Sequence, residues 1–412
     1  MRVEGRGLSV EGRGTRDEKR VPREENVTGR IPLEALHSTP DTRHPTLVTR
    51  HAVAARGGAL LAAACLALLV SGCANVSYYF QSVGGQLDVW RRERPIEDVI
   101  ADPATAQALK DRLARILEIR AFASRELGLP DNASYRRYAD LGRPFVVWNV
   151  FAAPEFSVQP LQSCFLFAGC VSYRGYFARD DAERFAAGLA EEGHDVYIGG
   201  VPAYSTLGYF ADPVLNTFIH YPEAEIARLI FHELAHQIAY VRDDTVFNES
   251  FAVAVEQEGV RRWLARGGDA REREQFERGR RIRAEFSGLV QKYRERLEVL
   301  YRTRLAPDAM RGRKREILAE LEVEYQSLKS QWGGYSGHDR WFASKPNNAQ
   351  LASVAAYSQL VPAFEALLAR EEGNLSAFYA AVKSLAASPK GERDARLAAL
   401  LPAGDKWRTG RD

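Results

Sequence analysis

Residues 222–241 read PEAEIARLIFHELAHQIAYV, and they restrict the fold more than any other stretch of the chain. Pro222 with Glu223 and Glu225 marks a helix start. There a missing N–H costs little, and carboxylates favour the positive end of the helix dipole. Inside the segment stands His232-Glu233-Leu234-Ala235-His236. Side chains four apart on a helix share one face, one turn from each other. Two imidazoles so placed can bind a single Zn²⁺, and Glu233 beside them can activate a zinc-bound water by taking its proton. The flanking Leu229, Ile230, Phe231, Leu234, Ala235, Gln237 and Ile238 carry no charge. Such a helix belongs under a cleft, not on a solvated surface. The chain has eight His, and three fixed residues at this spacing arise by chance in about one such chain in a hundred.

A catalytic zinc site takes a third protein ligand and keeps its fourth position for water. Twelve residues past His236 begins Asn248-Glu249-Ser250-Phe251-Ala252, the opening of a second amphipathic helix over 248–264 that ends at Gly267-Gly268. Asp243-Asp244 supplies the turn between. The resulting helical hairpin brings Glu249 over the His pair as third ligand. Glu256 and Glu258 are the rivals. Glu256 lies seven residues on, along the same face, and could instead support a ligand or touch substrate.

Hydrolysis at such a site also needs a group that stabilises the oxyanion. Tyr204, Tyr240, Tyr335 and Tyr357 are the candidates. Residues 206–210, TLGYF, could form an edge strand along which an extended peptide lies. Arg174 and the Asn347-Asn348 pair are further candidates for substrate contact.

The N-terminal part reads differently. Residues 57–70, GGALLAAACLALLV, are uncharged and follow Arg50, His51 and Arg56. A membrane-spanning helix needs roughly 20 apolar residues, so this shorter run suits a secretory signal. Val70-Ser71-Gly72-Cys73 fits a lipobox, with the Cys73 thiol as acceptor of a diacylglyceryl group. Ala74 follows it, where an Asp would favour the inner membrane, so the expected location is the outer membrane facing the periplasm. Residues 1–46 are rich in Arg, Glu and Gly and lack apolar periodicity. They are expected to be disordered or to precede the true start, placed near Leu47 or Val48, with 47–72 as the signal peptide. Cys164 and Cys170 are the candidates for a local disulfide in an oxidising compartment. Residues 1–72 hold 11 Lys/Arg and 8 Asp/Glu, so the +2 of the whole chain becomes −1 without them. Neither balance argues for nucleic acid as a partner.

Across the remainder, residues 73–268 mix strand-like runs, such as FVVWNVFAA at 145–153 and a second strand following a turn at Asp212-Pro213, with helices at 104–127 and 178–192. Residues 269–331 are dense in Arg, Glu and Lys around an apolar stripe, which predicts a charged helical hairpin broken at Pro307. Residues 332–412 form an apolar helical region that packs on the core. The fold class is α+β, predominantly helical.

The HELAH helix followed by NESFA resembles the gluzincin metallopeptidases, and aminopeptidase N-like enzymes carry a similar Asn-Glu-x-Phe-Ala segment. Over about residues 66–402 the chain resembles a family of bacterial lipoproteins described as aminopeptidases. GCVSYRGYF at 169–177, YSTLGYFADP at 204–213 and NNAQLASVAAY at 347–357 carry the likeness beside HELAH, NESFA and the lipobox. The resemblance implies a zincin-like core with the long hairpin as an insertion. It also implies one Zn²⁺ held by His232, His236 and Glu249, Glu233 as catalyst, peptide as substrate and a lipid anchor at Cys73. The Gly-x-Met-Glu-Asn segment that binds a free amine in aminopeptidase N-like enzymes has no counterpart, since Met1 and Met310 are the only methionines. Peptidase action is therefore the firmer expectation, and aminopeptidase action the finer one. The alternatives are an envelope scaffold or chaperone with a non-catalytic metal site, and a zinc hydrolase of a non-peptide amide. An intact Glu233 argues against a pure binder, which needs no general base.

Overall fold

The computed structural model describes residues 77–165 and 169–401. All belong to one compact unit, residues 69–412. Residues 1–46, the signal-like 47–72 and Cys73 lie outside the described residues.

Helix predominates, and the strands form three small sheets. The first helix, α1, covers 77–92. It leads into β1 (Glu93–Pro95), α2 (Ile96–Ala101), α3 (Gln107–Arg125) and β2 (Arg137–Ala139). Then come β3 (Val147–Pro154), β4 (Ser163–Phe165), β5 (Gly169–Val171), β6 (Arg174–Tyr176), α4 (Arg179–Glu191), β7 (His194–Val201) and β8 (Val214–Leu215). The rest is helical: α5 (Glu223–Ala235), α6 (Thr245–Gly267), α7 (Ala270–Tyr301), α8 (Pro307–Gln331), α9 (Asp339–Ala343), α10 (Asn348–Ser358), α11 (Val361–Arg370), α12 (Leu375–Ala387) and α13 (Lys390–Ala398).

Strand β3 explains the apolar run at 145–153. It is the centre of an antiparallel sheet in the order β6-β3-β7. Successive side chains point to opposite faces. Val150 packs with Ala182 and Ala186 of α4, whereas Phe151 and Ala153 pack on Ala349 of α10. Both faces are covered, so alternation with polar residues is lost. Asn149 shares the face of Phe151.

Helices α5 and α6 pack closely because Gly259 has no side chain. A Cβ there would stand 2.7 Å from Phe231 and 2.8 Å from Leu127. The charged segment forms two long helices, α7 and α8. Pro307 does not merely interrupt them but occupies the first turn of α8. Their shared apolar stripe, including Phe286, Val290, Leu297, Leu321 and Tyr325, forms its own core cluster.

Two expectations are corrected. Residues 206–210 are not an edge strand but a tight turn, with Leu207 and Gly208 at φ 57° and 81°. Its organiser is Asp212, whose carboxylate accepts the Thr206 N–H at 3.1 and 3.2 Å. The strand expected after Asp212-Pro213 is only the two-residue β8, followed by turns over 216–220.

Burial raises the Asp212 carboxyl to about 6, with the Thr206 hydrogen bonds offsetting part of that shift. A raised native pKa means the folded state holds the proton more tightly. Its contribution is fully present below the unfolded value near 4 and is lost as pH rises through about 6. Asp212→Asn keeps the shape and removes the titration. Relative to this variant, the parent should lose up to about 3 kcal/mol between pH 4 and 7, read from urea unfolding at several pH values.

Candidate metal centre

Helix α5 ends at the site. His232 and Glu233 lie in its last turn, and His236 is its C-cap residue. The chain then turns through Asp243, at φ 66°, and starts α6 with Asp244, which caps it by accepting the Phe247 N–H at 3.2 Å. Asn248 stitches the turn from inside. Its Oδ1 accepts the Val241 N–H at 2.7 Å, and its Nδ2 donates to the Val241 carbonyl at 2.8 Å. Glu249, the next residue, is thereby set over the two imidazoles. The turn is held from outside as well. Arg393 of α13 pairs with Asp244 at 2.6 Å, and the Cys170 N–H donates to Asp243 at 2.5 Å. Cys170 is disulfide-bonded to Cys164 across the β4–β5 ladder.

The three side chains converge. One Glu249 carboxylate oxygen lies 3.2 Å from His232 Nε2 and 3.7 Å from His236 Nε2. The ligand atoms of all three residues fall within 4.8 Å of one another, and all three residues are buried. An ion held tetrahedrally at about 2.0–2.2 Å from each ligand sets its ligand atoms about 3.3–3.6 Å apart. The two Glu249–His spacings lie within about 0.1 Å of that range, so His232, His236 and Glu249 could hold a metal ion.

Electrostatics agrees with a cation site. Burial alone would lower the His232 pKa, but its bonds to Glu249 and Glu256 raise it to about 10. The two carboxylates thus favour positive charge at His232. Burial pushes His236 down to about 4, leaving a neutral imidazole able to donate a lone pair. Burial raises Glu233 to about 8, with His232 lowering it and Glu249 raising it. For Glu249, burial is outweighed by His236 and His232, which hold its carboxyl below the ordinary range.

Glu256 has a different task. Its Oε2 accepts from His232 Nδ1 at 2.9 Å, which leaves His232 Nε2 directed at Glu249. Arg228 pairs with Glu256 at 3.1 Å and with Glu225 at 2.7 Å, and Arg283 of α7 reaches Glu225 at 3.2 Å. A line of ion pairs thus runs from the long hairpin to His232. Burial would raise the Glu256 carboxyl, but Arg228 and His232 pull it below its usual range. Partners that orient a ligand are worth about 10–100-fold in metal affinity. Glu256→Gln should therefore weaken metal binding by about that factor, measured by chelator competition. Glu258 is no ligand, because it pairs with Arg261 and Arg262 at 2.7 and 2.6 Å.

The site opens on a cavity of about 1340 Å³, walled by α5, α6, α7, α10 and the β6-β3-β7 sheet. Tyr357 and Tyr240 line it, and the Tyr357 ring stacks 6.5 Å from that of His232. Tyr173 joins them. Burial raises the Tyr173 and Tyr357 hydroxyl pKa values far above the usual range, with Glu249 the next cause for both. Tyr173 was missed from sequence, although it stands in the GCVSYRGYF stretch. Arg228 was missed too, although it sits four residues before His232 on the same helix face.

Other expectations are corrected. Tyr204 lines the cavity, but its hydroxyl bonds Gln86, and its charged neighbours are Asp212, Glu93 and Arg143 rather than the His pair. Tyr335 is 42% exposed and packs against His338, a cavity-lining residue, without lining the cavity itself. Arg174 lies over the Tyr78 and Phe185 rings at 4.1 and 4.8 Å. Asn347 caps α10 and donates to the Val196 carbonyl of β7 at 2.9 Å, and Asn348 donates to the Pro154 and Glu155 carbonyls at the end of β3, so the pair fastens α10 to the sheet.

A family model described as "Putative aminopeptidase" matches residues 77–397. The chain belongs to that family. No curated protein and no solved structure matches it. The match covers every element from α1 to α12 and most of α13, so the aminopeptidase family assignment includes the long hairpin as well as the candidate metal centre.

Proposed function

We propose that this aminopeptidase-family chain is a zinc-dependent peptidase of the gluzincin type, with a zincin-like core into which the α7–α8 hairpin is inserted. The observation that carries the reading is the convergence of two imidazoles and one carboxylate beside the buried Glu233 on one cavity wall. Two His and one Glu are a donor set of catalytic zinc sites. When bound, zinc supplies Lewis acidity, acidifying water and polarising a carbonyl.

The protein's own groups do the rest. Glu233 takes the proton of the attacking water and returns it to the departing amine. A base works best when its pKa lies near the working pH, and a cation beside Glu233 brings its raised value of about 8 towards neutrality. Glu256 and Arg228 hold His232 in one orientation. Tyr357 and Tyr173, with hydroxyls kept protonated by burial, are the donors available to a developing oxyanion, and Tyr240 stands third.

The wider setting belongs to the same proposal. Cys73 carries the lipid, the protein faces the periplasm from the outer membrane, and the Cys164–Cys170 bond suits an oxidising compartment. The test is hydrolysis of aminoacyl anilides and of internally quenched peptides by the zinc-loaded chain. Cleavage of the anilides supports an aminopeptidase, and cleavage of the quenched peptides alone an endopeptidase. Zinc bound without hydrolysis of either would favour the scaffold reading. Release of a Cys73→Ser variant from membranes tests the anchor, and its retention counts against acylation.

A further inference from the structure

Helix α1 has two faces of different meaning. One docks on the fold: Gln81 accepts the Phe177 N–H at 3.1 Å, Gln86 bonds Tyr204, and Val89 is fully buried. The other presents Phe80, Val83, Leu87 and Trp90 at helical spacing, exposed by 74, 58, 38 and 37%. A face meeting water ordinarily carries polar and charged side chains. Here residues 74–87, ANVSYYFQSVGGQL, contain no charge at all. The 206–210 turn extends the patch with Tyr209 and Phe210, exposed by 70 and 50%. The Phe210 and Trp90 ring centroids lie 4.8 Å apart, so helix and turn form one surface. Contiguous apolar patches of this kind mark interaction sites.

The sequence before α1 names the occupant. The apolar run at 57–70 ends seven residues before Ser77, and Cys73 stands four residues before it. Four residues span at most about 14 Å, so an anchor at Cys73 would keep the start of α1 close to the membrane. Aromatic side chains with apolar neighbours suit the headgroup boundary. We infer that the outer face of α1, with the Tyr209-Phe210 turn, lies in the surface of a lipid bilayer and orients the domain on it. This rests on the membrane placement proposed above. The same two elements line the cavity through Tyr79 and Leu207, so the lipid contact adjoins the cavity wall.

The test uses the full chain with Cys65→Ser and Cys73→Ser, which leaves the Cys164–Cys170 disulfide. Single cysteines at Val83, Leu87 and, as control, Val323 on α8 (72% exposed) carry an environment-sensitive fluorophore. On adding vesicles of phosphatidylcholine and phosphatidylglycerol, the probes at 83 and 87 should shift to the blue and lose iodide quenching several-fold, while the probe at 323 does not change. The inference is overturned if the chain does not float with vesicles. It is equally overturned if it floats with 83 and 87 still quenched, or if both are shielded without lipid as protein concentration rises, which would assign the face to a second copy. Cys73→Ser fractionation in cells reports the acyl anchor separately, so failure of one reading is distinguishable from failure of the other.

Discussion

Replacing Glu233 with Gln should lower kcat by about 10²–10⁴-fold, the usual contribution of a positioned general base. Metal content should not change, because Glu233 is not among the three converging groups. Gln preserves the volume of the buried side chain and removes only its proton chemistry. The pH profile gives a second readout. A general base works deprotonated, so the parent's kcat should rise with pH through the Glu233 pKa. The residual activity of the variant should lack that limb. Metal analysis beside steady-state kinetics decides the matter, and near-parental kcat with full metal content would remove Glu233 from the chemistry.

Glu249→Ala should weaken metal binding by more than about 100-fold, the upper figure for losing even a partner that only orients a ligand. Two imidazoles alone leave the ion short of a protein ligand and of the negative charge that offsets its own. The fold should persist, because Asp244 and Asn248 cap and stitch this turn independently of Glu249. Metal content after dialysis, with circular dichroism as the fold control, reads the result. Unchanged occupancy would transfer the role to Glu256, since Glu258 is committed to Arg261 and Arg262.

Much of the centre was legible before the structure. His232, Glu233 and His236 follow from helical spacing alone, a local property that needs no knowledge of the rest of the chain. Glu249 needed one further step, the assumption of a hairpin across Asp243-Asp244. The TLGYF turn was misread as a strand because its aromatic residues resemble strand composition. The organiser of the turn, the buried Asp212 carboxylate, acts from outside the segment. Asn347 and Asn348 looked free to bind substrate because their acceptors, in β3 and β7, lie about 150 to 190 positions away.

The sequence by itself determined the candidate metal-binding face, the apolar character of the helix that bears it and the amphipathic stripe of the long hairpin. Each depends on side-chain period along one element. Only the tertiary structure decided that Glu256 and Arg228 orient His232, that Tyr173 meets Tyr357 at the cavity, and that Phe80, Val83 and Leu87 of α1 stay exposed among the described residues. Those outcomes depend on how closely separate elements approach. That approach is set by contacts such as Gly259 against Phe231 and Leu127, between residues that no local pattern relates.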